Sequence, residues 1–161
     1  MPALTAVVSG NSAWQKVQKA LAGASPAAQE AFRSLKIYLA NQALNPSLNV
    51  AFWAQADAAA STTGVLLGTG QPKVYAVYAK KGTVATLAFL KVADDVSGAG
   101  TAATWKVGMN FTGASDESFY MNYNPTAYVS GIAVASHTTF TGATVSTGAS
   151  TAQDGFVIYS V

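Results

Sequence analysis

The stretch GTGQPKVYAVYAKKGTVATLAFLKVADD, residues 68–95, settles the fold class through the residues just after its opening glycines. A glycine-rich turn running toward a lysine invites a phosphate-loop reading. Such a loop needs a helix behind it, so that free backbone N–H groups and the helix dipole converge on the anion. Here Gly68-Thr69-Gly70 leads through Pro72 into Val74, Tyr75, Val77 and Tyr78, β-branched and aromatic residues that favour strands. The spacings G-x-x-x-x-G-K-[ST] and G-x-G-x-x-G are both absent. Lys80-Lys81-Gly82 interrupts, and Thr83 to Val92 resumes the strand composition. The pattern predicts a β-hairpin with the lysines at its solvated tip, and the glycines serve turns.

Outward from this stretch the chain divides into two regimes. Residues 12–44 have helical spacing. Ser12 is placed to cap a short helix carrying Trp14, Val17 and Leu21, closed by Gly23. Ser25-Pro26 then supplies an N-cap and a first-turn proline. The next run presents Phe32, Leu35 and Leu39 on one face, and Asn45-Pro46 is the expected stop. Before the helices, Leu4 to Val8 is an arm or an edge strand.

From Leu48 the period shortens to two. Strands are expected at 48–53, 65–67, 74–79, 83–93, 104–111, 118–123, 128–136 and 155–161, with a weaker one at 138–145. The cleanest alternation sets Trp105, Val107, Met109 and Phe111 against Thr104, Lys106, Gly108 and Asn110, one face dry and one wet. Closely spaced strands separated by Gly, Asn, Asp and Ser predict a mainly β protein, an antiparallel β-sandwich or jelly-roll-like domain with an N-terminal helical segment. The expected division is an arm and two-helix segment over 1–61 and a sandwich over 62–161.

Composition narrows the function classes. Ala, Thr, Ser and Gly fill 76 of the 161 positions, and charged residues make up only 10%. That is well below the ordinary quarter, and Lys and Glu are the residues that blunt exposed strand edges. Such a surface suits an assembly subunit. The net charge is +2, yet no lysine or arginine follows Lys106, which argues against nucleic-acid binding. There is no cysteine, so thiol, disulfide and zinc-thiolate chemistry are excluded. No apolar run approaches the ~20 residues of a membrane span. The opening MPALTAVVSGNS has neither the positive n-region nor the apolar stretch of a signal peptide, so assembly in a cytoplasm is expected.

Catalytic groups are sparse. His137 is the only histidine, no G-x-S-x-G elbow accompanies it, and a strand-end structural role is expected. Asp94-Asp95 and Asp116-Glu117 lack the spacing of a calcium loop and are expected as turn acids. The expectation is a non-enzyme with no catalytic, cofactor-binding or metal-binding residues. The run FYMNYNPTAY, residues 119–128, gathers Phe119, Tyr120, Tyr123 and Tyr128 with Asn122 and Asn124. It offers stacking for a sugar or contact area for a protein, beside the plainer alternative of core and interface.

VLLGTGQPKVYAVYAKKGTVATLAFLKVADD (65–95), SGIAVASHTTFTG (130–142) and DGFVIYS (154–160) together resemble the small β-sandwich structural proteins of tailed-bacteriophage virions. The resemblance covers about residues 62–161 and contains no catalytic signature. It implies a protein that decorates or cements a capsid, or builds neck and tail parts. The partner it implies is the major capsid protein, engaged from the outer capsid surface by a homo-oligomer, with a trimer favoured. The alternative is a receptor- or glycan-binding module on a fibre or tail. Leu4, Val7, Val8, Trp14, Phe32, Trp53, Tyr120 and Tyr123 are the candidate partner contacts, apolar or aromatic residues of the arm, the helical segment and the tyrosine cluster.

Overall fold

The computed structural model describes residues 4–44, 47–53, 65–67, 71–82, 88–95, 105–113, 115–137 and 153–161. In chain order these form β1 (Leu4–Ser9), α1 (Gly10–Ala20), a 3₁₀ turn (Leu21–Gly23), α2 (Pro26–Asn41), β2 (Leu48–Trp53), β3 (Val65–Leu67), β4 (Lys73–Lys81), β5 (Ala88–Asp94), β6 (Trp105–Phe111), β7 (Glu117–Met121), β8 (Ile132–His137) and β9 (Gln153–Ser160). Two antiparallel sheets result, ordered β1-β2-β9-β4-β7 and β3-β8-β5-β6. The fold is the mainly β, sandwich-like one its strand spacing predicts. Strand β9 runs inside the larger sheet, between β2 and β4.

Two apolar clusters hold the layers. Between the sheets, Val74, Val77, Ala79, Val157 and Tyr159 face Leu90, Val92, Val107, Met109, Phe111 and Val134. On the other face of the larger sheet, Tyr75, Tyr78, Phe156 and Ile158 pack with Trp14, Val17, Phe32, Leu35 and Leu39 of the helices. Phe32 sits 5.3 Å from Phe156 and 6.2 Å from Tyr78 between ring centroids, within the range of favourable aromatic pairs. The larger sheet is therefore a middle layer, with the helices on one face and the smaller sheet on the other.

A bulge in β4 changes which of its residues meet each layer. The β4–β9 register shifts between Val74 and Ala76. One extra residue inverts the alternation, so Val74 and Val77 both point into the sheet–sheet core while Tyr75 and Ala76 both face the helices.

Four expectations need correcting. The stretch 68–95 is not a hairpin: β4 belongs to the larger sheet and β5 to the smaller, so the chain crosses between layers. Its lysines are not at a solvated tip. Strand β4 continues through them, with Lys80 opposite Glu117 and Asp154, and Lys81 is 1% exposed. The expected boundary at residue 61 falls within one sheet, because β1 and β2 extend it beside β9. The strand expected from Tyr128 begins only at Ile132, since Asp94 pulls the preceding backbone into a turn that ends at Gly131 with φ 145°. The expected strand 138–145 lies outside the described residues.

Helix α2 starts as its sequence predicts. The Ser25 hydroxyl accepts from the Ala28 N–H at 3.2 Å, and proline opens the first turn. It stops at Asn41, earlier than Asn45-Pro46, because Ala43 takes a left-handed conformation (φ 56°) and the Leu44 N–H returns to the Leu39 carbonyl at 3.0 Å.

Candidate functional site

Three of the described carboxylates, Asp94, Asp116 and Glu117, are engaged in holding the fold. Asp94 accepts from the backbone N–H groups of Val129 (2.8 Å), Ser130 (2.6 Å) and Gly131 (3.3 Å). Burial raises its pKa, but those three donors and the charge of Lys106 outweigh burial and hold it below the ordinary aspartate value. Asp116 is held low chiefly by the Gly113 N–H, and also by the N–H and hydroxyl of Thr112. Glu117 spans two layers. Its carboxylate accepts the Ser25 N–H at 3.1 and 3.2 Å and the Tyr78 hydroxyl at 3.0 Å, so β7 grips the start of α2. Burial pushes Glu117 up, and the Ser25, Tyr78 and Lys80 contacts together bring it below the usual glutamate value. The same burial and bond push the Tyr78 phenol up. The expectation of turn acids fits Asp116, whereas Asp94 closes strand β5 and Glu117 opens strand β7.

Among the described residues no group of three or more His, Asp or Glu side chains is gathered that could hold a metal ion, and no helix is long and apolar enough to cross a membrane. His137 is the last residue of β8, paired through its backbone with Phe89.

The candidate contact residues do not form one patch. Trp14 and Phe32 are 4% and 3% exposed and belong to the helix–sheet core, so their apolar area is spent inside the chain. Leu4, Val7 and Val8 lie on β1 and Trp53 closes β2 opposite Leu4; their side chains are not among those described. Tyr120 is half-buried against the sheet–sheet core. Tyr123 is 40% exposed and stands edge-on to Tyr38, with ring centroids 4.9 Å apart.

Three surface features stand out among the described residues. First, the two sides of the sandwich differ. On one side β6 and β7 approach each other. The opposite ends of the sheets are β1 and β3, and no described strand pairs with their outer edges. Neither LTAVVS nor VLL contains a charge or a proline, the devices that usually protect an edge from pairing.

Second, a hollow of about 200 Å³ is lined by Tyr38, Gln42, Lys73, Tyr75, Tyr123 and Asn124. The sequence run 119–128 supplies two of these residues, and α2 with its C-cap Gln42 and β4 supply the others. Tyr38 in the last turn of α2 and Gln42 just past its end, four apart, were the available signal. Third, a groove of about 510 Å³ lies between α1 and α2, with Trp14, Val17 and Phe32 among its walls.

No family model, curated protein or solved structure matches this chain.

Proposed function

We propose that the protein is a non-enzymatic structural component of a tailed-bacteriophage virion, a capsid decoration or cement protein on the outer capsid surface. The observation that carries this reading is that β1 and β3, whose segments carry no charge, end their sheets on the same side of the sandwich among the described residues. Such edges recruit an extended strand through main-chain hydrogen bonds. The resemblance of residues 62–161 to virion sandwich proteins and the low-charge, Ala/Thr/Ser-rich composition support it. The partner is the major capsid protein, and copies of this chain associate with one another, with a trimer favoured. Because each copy binds the assembled lattice and not a free subunit, occupancy stabilises the shell by mass action. Assembly takes place in the host cytoplasm.

The test is incubation with expanded capsids that lack the protein, read by co-sedimentation and by the capsid disruption temperature. Saturable decoration that raises this temperature is expected. Val7→Lys combined with Leu66→Lys, which places charge on both open edges, should weaken decoration at least about tenfold. No decoration by the wild type, or full decoration by the variant, would contradict the reading.

The tyrosine hollow favours a second reading, a receptor- or glycan-binding module on a fibre or tail. Three rings, two amides and a lysine around about 200 Å³ provide stacking and hydrogen bonding on the scale of one sugar ring. Binding to a saccharide panel that Tyr123→Ala abolishes would support it, and a blank panel would remove it.

A further inference from the structure

The tyrosine hollow beside the end of α2 has walls that remain open to a ligand. Tyr123 is 40% exposed, Tyr38 is half-buried, and Gln42, Lys73 and Asn124 are exposed. The Tyr38 and Tyr123 rings meet at 69°. An edge-on pair leaves at least one ring with both faces clear of the other. The negative face of an aromatic ring suits the polarised C–H bonds of a saturated ring laid against it.

The polar groups around the hollow are not used up by the fold. Tyr75 is 5% exposed, and a buried tyrosine ordinarily finds a hydrogen-bond partner for its hydroxyl. Among the described residues the Tyr75 hydroxyl has none, and neither do the side-chain amides of Gln42 and Asn124. The turn itself is held by Asn122, whose N–H donates to the Tyr75 carbonyl at 2.9 Å and whose side-chain oxygen accepts from the Asn124 N–H at 3.1 Å. Lys73 makes no ion pair among the described residues, and no acid lines the hollow. Amides and hydroxyls each donate and accept, as the neighbouring hydroxyls of a pyranose do. A lone ammonium beside them calls for an anion, most favourably a carboxylate held by a charge-assisted hydrogen bond.

We infer that the hollow binds one hexuronate residue, a pyranose bearing a carboxylate, with its ring against the Tyr38–Tyr123 pair and its carboxylate at Lys73. A neutral hexose would leave Lys73 without a counter-ion, and an amino sugar would set like charges together. The inference rests on the glycan-binding reading of the same hollow and adds the class of sugar to it.

Methyl glucuronide is the probe, titrated into the full-length protein and followed by saturation-transfer NMR. Methyl glucoside, glucosamine and acetate serve as the neutral, cationic and bare-anion controls. Saturable binding of the glucuronide is expected, at least about tenfold tighter than any control. Lys73→Gln, at an exposed position, should bring the glucuronide down to the affinity of the glucoside and leave the glucoside unchanged. Tyr123→Ala should remove binding of both sugars. Equal binding of glucuronide and glucoside by the wild type would overturn the inference while leaving the glycan reading in place, and no binding of any sugar would remove both. Acetate binding as tightly as the glucuronide, or a glucuronide preference that survives Lys73→Gln, would also overturn it.

Discussion

Strands β4 and β6 are built on different plans. From Val74 to Ala79 every residue of β4 is buried, whereas β6 alternates, with Val107, Met109 and Phe111 inside and Lys106, Gly108 and Asn110 outside. Strand β6 has one dry face. Strand β4 has two, because the helices cover the side of its sheet that the smaller sheet does not. The sequences show the difference: KVYAVYAKK is a near-continuous apolar run and WKVGMNF a strict alternation. A strand's polarity pattern thus counts the layers packed on it. The N-terminal helices are accordingly one of three layers and not an attachment.

The contrast between one-faced and two-faced strands breaks most severely at β9, which supplies both faces of the middle layer: Val157 and Tyr159 on one side, Phe156 and Ile158 on the other. Deleting residues 155–161 should abolish soluble folding, because β2 and β4 lose the strand between them. Soluble, cooperatively unfolding protein after the deletion would contradict a two-faced sheet.

One leucine from each core sharpens the same contrast. Leu35 on the helix side and Leu90 on the sheet–sheet side are both fully buried. Each change to alanine should cost about 2–5 kcal/mol in urea unfolding. A penalty below about 1 kcal/mol for Leu35→Ala alone would mean that the helical layer contributes little.

Glu117 joins the layers by a polar route. Glu117→Gln retains the shape but loses the charge that accepts from Ser25 and Tyr78, and should cost about 1–2 kcal/mol. The pH dependence has the same origin. Asp94, Asp116 and Glu117 all have lowered folded-state pKa values, so the unfolded chain takes up protons first as the pH falls. Their contribution is complete above the ordinary carboxylate range and is lost as pH drops through the depressed values. The urea midpoint should hold between about pH 7 and 5 and decline toward about pH 3, less steeply in Glu117→Gln. At the alkaline end, burial lowers the pKa of Lys91, which lies over the Trp105 ring. Stability linked to Lys91 should therefore rise as pH climbs from its folded-state value toward that of a free lysine.

The smallest expected effect concerns the end of α2. Ala43 adopts φ 56°, a region that costs an L-residue energy and glycine almost none. Ala43→Gly should stabilise the protein by about 0.5–1 kcal/mol, seen as a higher melting temperature.

Much of this was legible in the residues. The alternation in β6, the Ser25-Pro26 start of α2 and the apolar run of β9 each come from local chemistry. What was not legible depends on distant partners. The step of β4 and β5 into different sheets is set by their pairing with β9, 72 to 87 residues downstream, and β8, 38 to 48 residues downstream. The burial of Lys81 and the turn before β8 depend likewise on tertiary contacts; Asp94 holds that turn from 35 residues away. The candidate contacts Trp14 and Phe32 were misjudged for one reason. Amphipathic helices reveal that a face is buried, but not whether their own sheet or a neighbour buries it. The tyrosine hollow and the helix groove are each assembled from more than one element, and no single run of sequence contains either.

The most direct test compares residues 62–161 alone with the full chain in urea, monitored by circular dichroism and tryptophan emission. If the larger sheet needs β1, β2 and the helices to cover and extend it, the shorter fragment should show no cooperative transition, while the full chain unfolds in one step by both signals. A fragment that unfolds cooperatively, at the midpoint of the full chain, would contradict the three-layer fold.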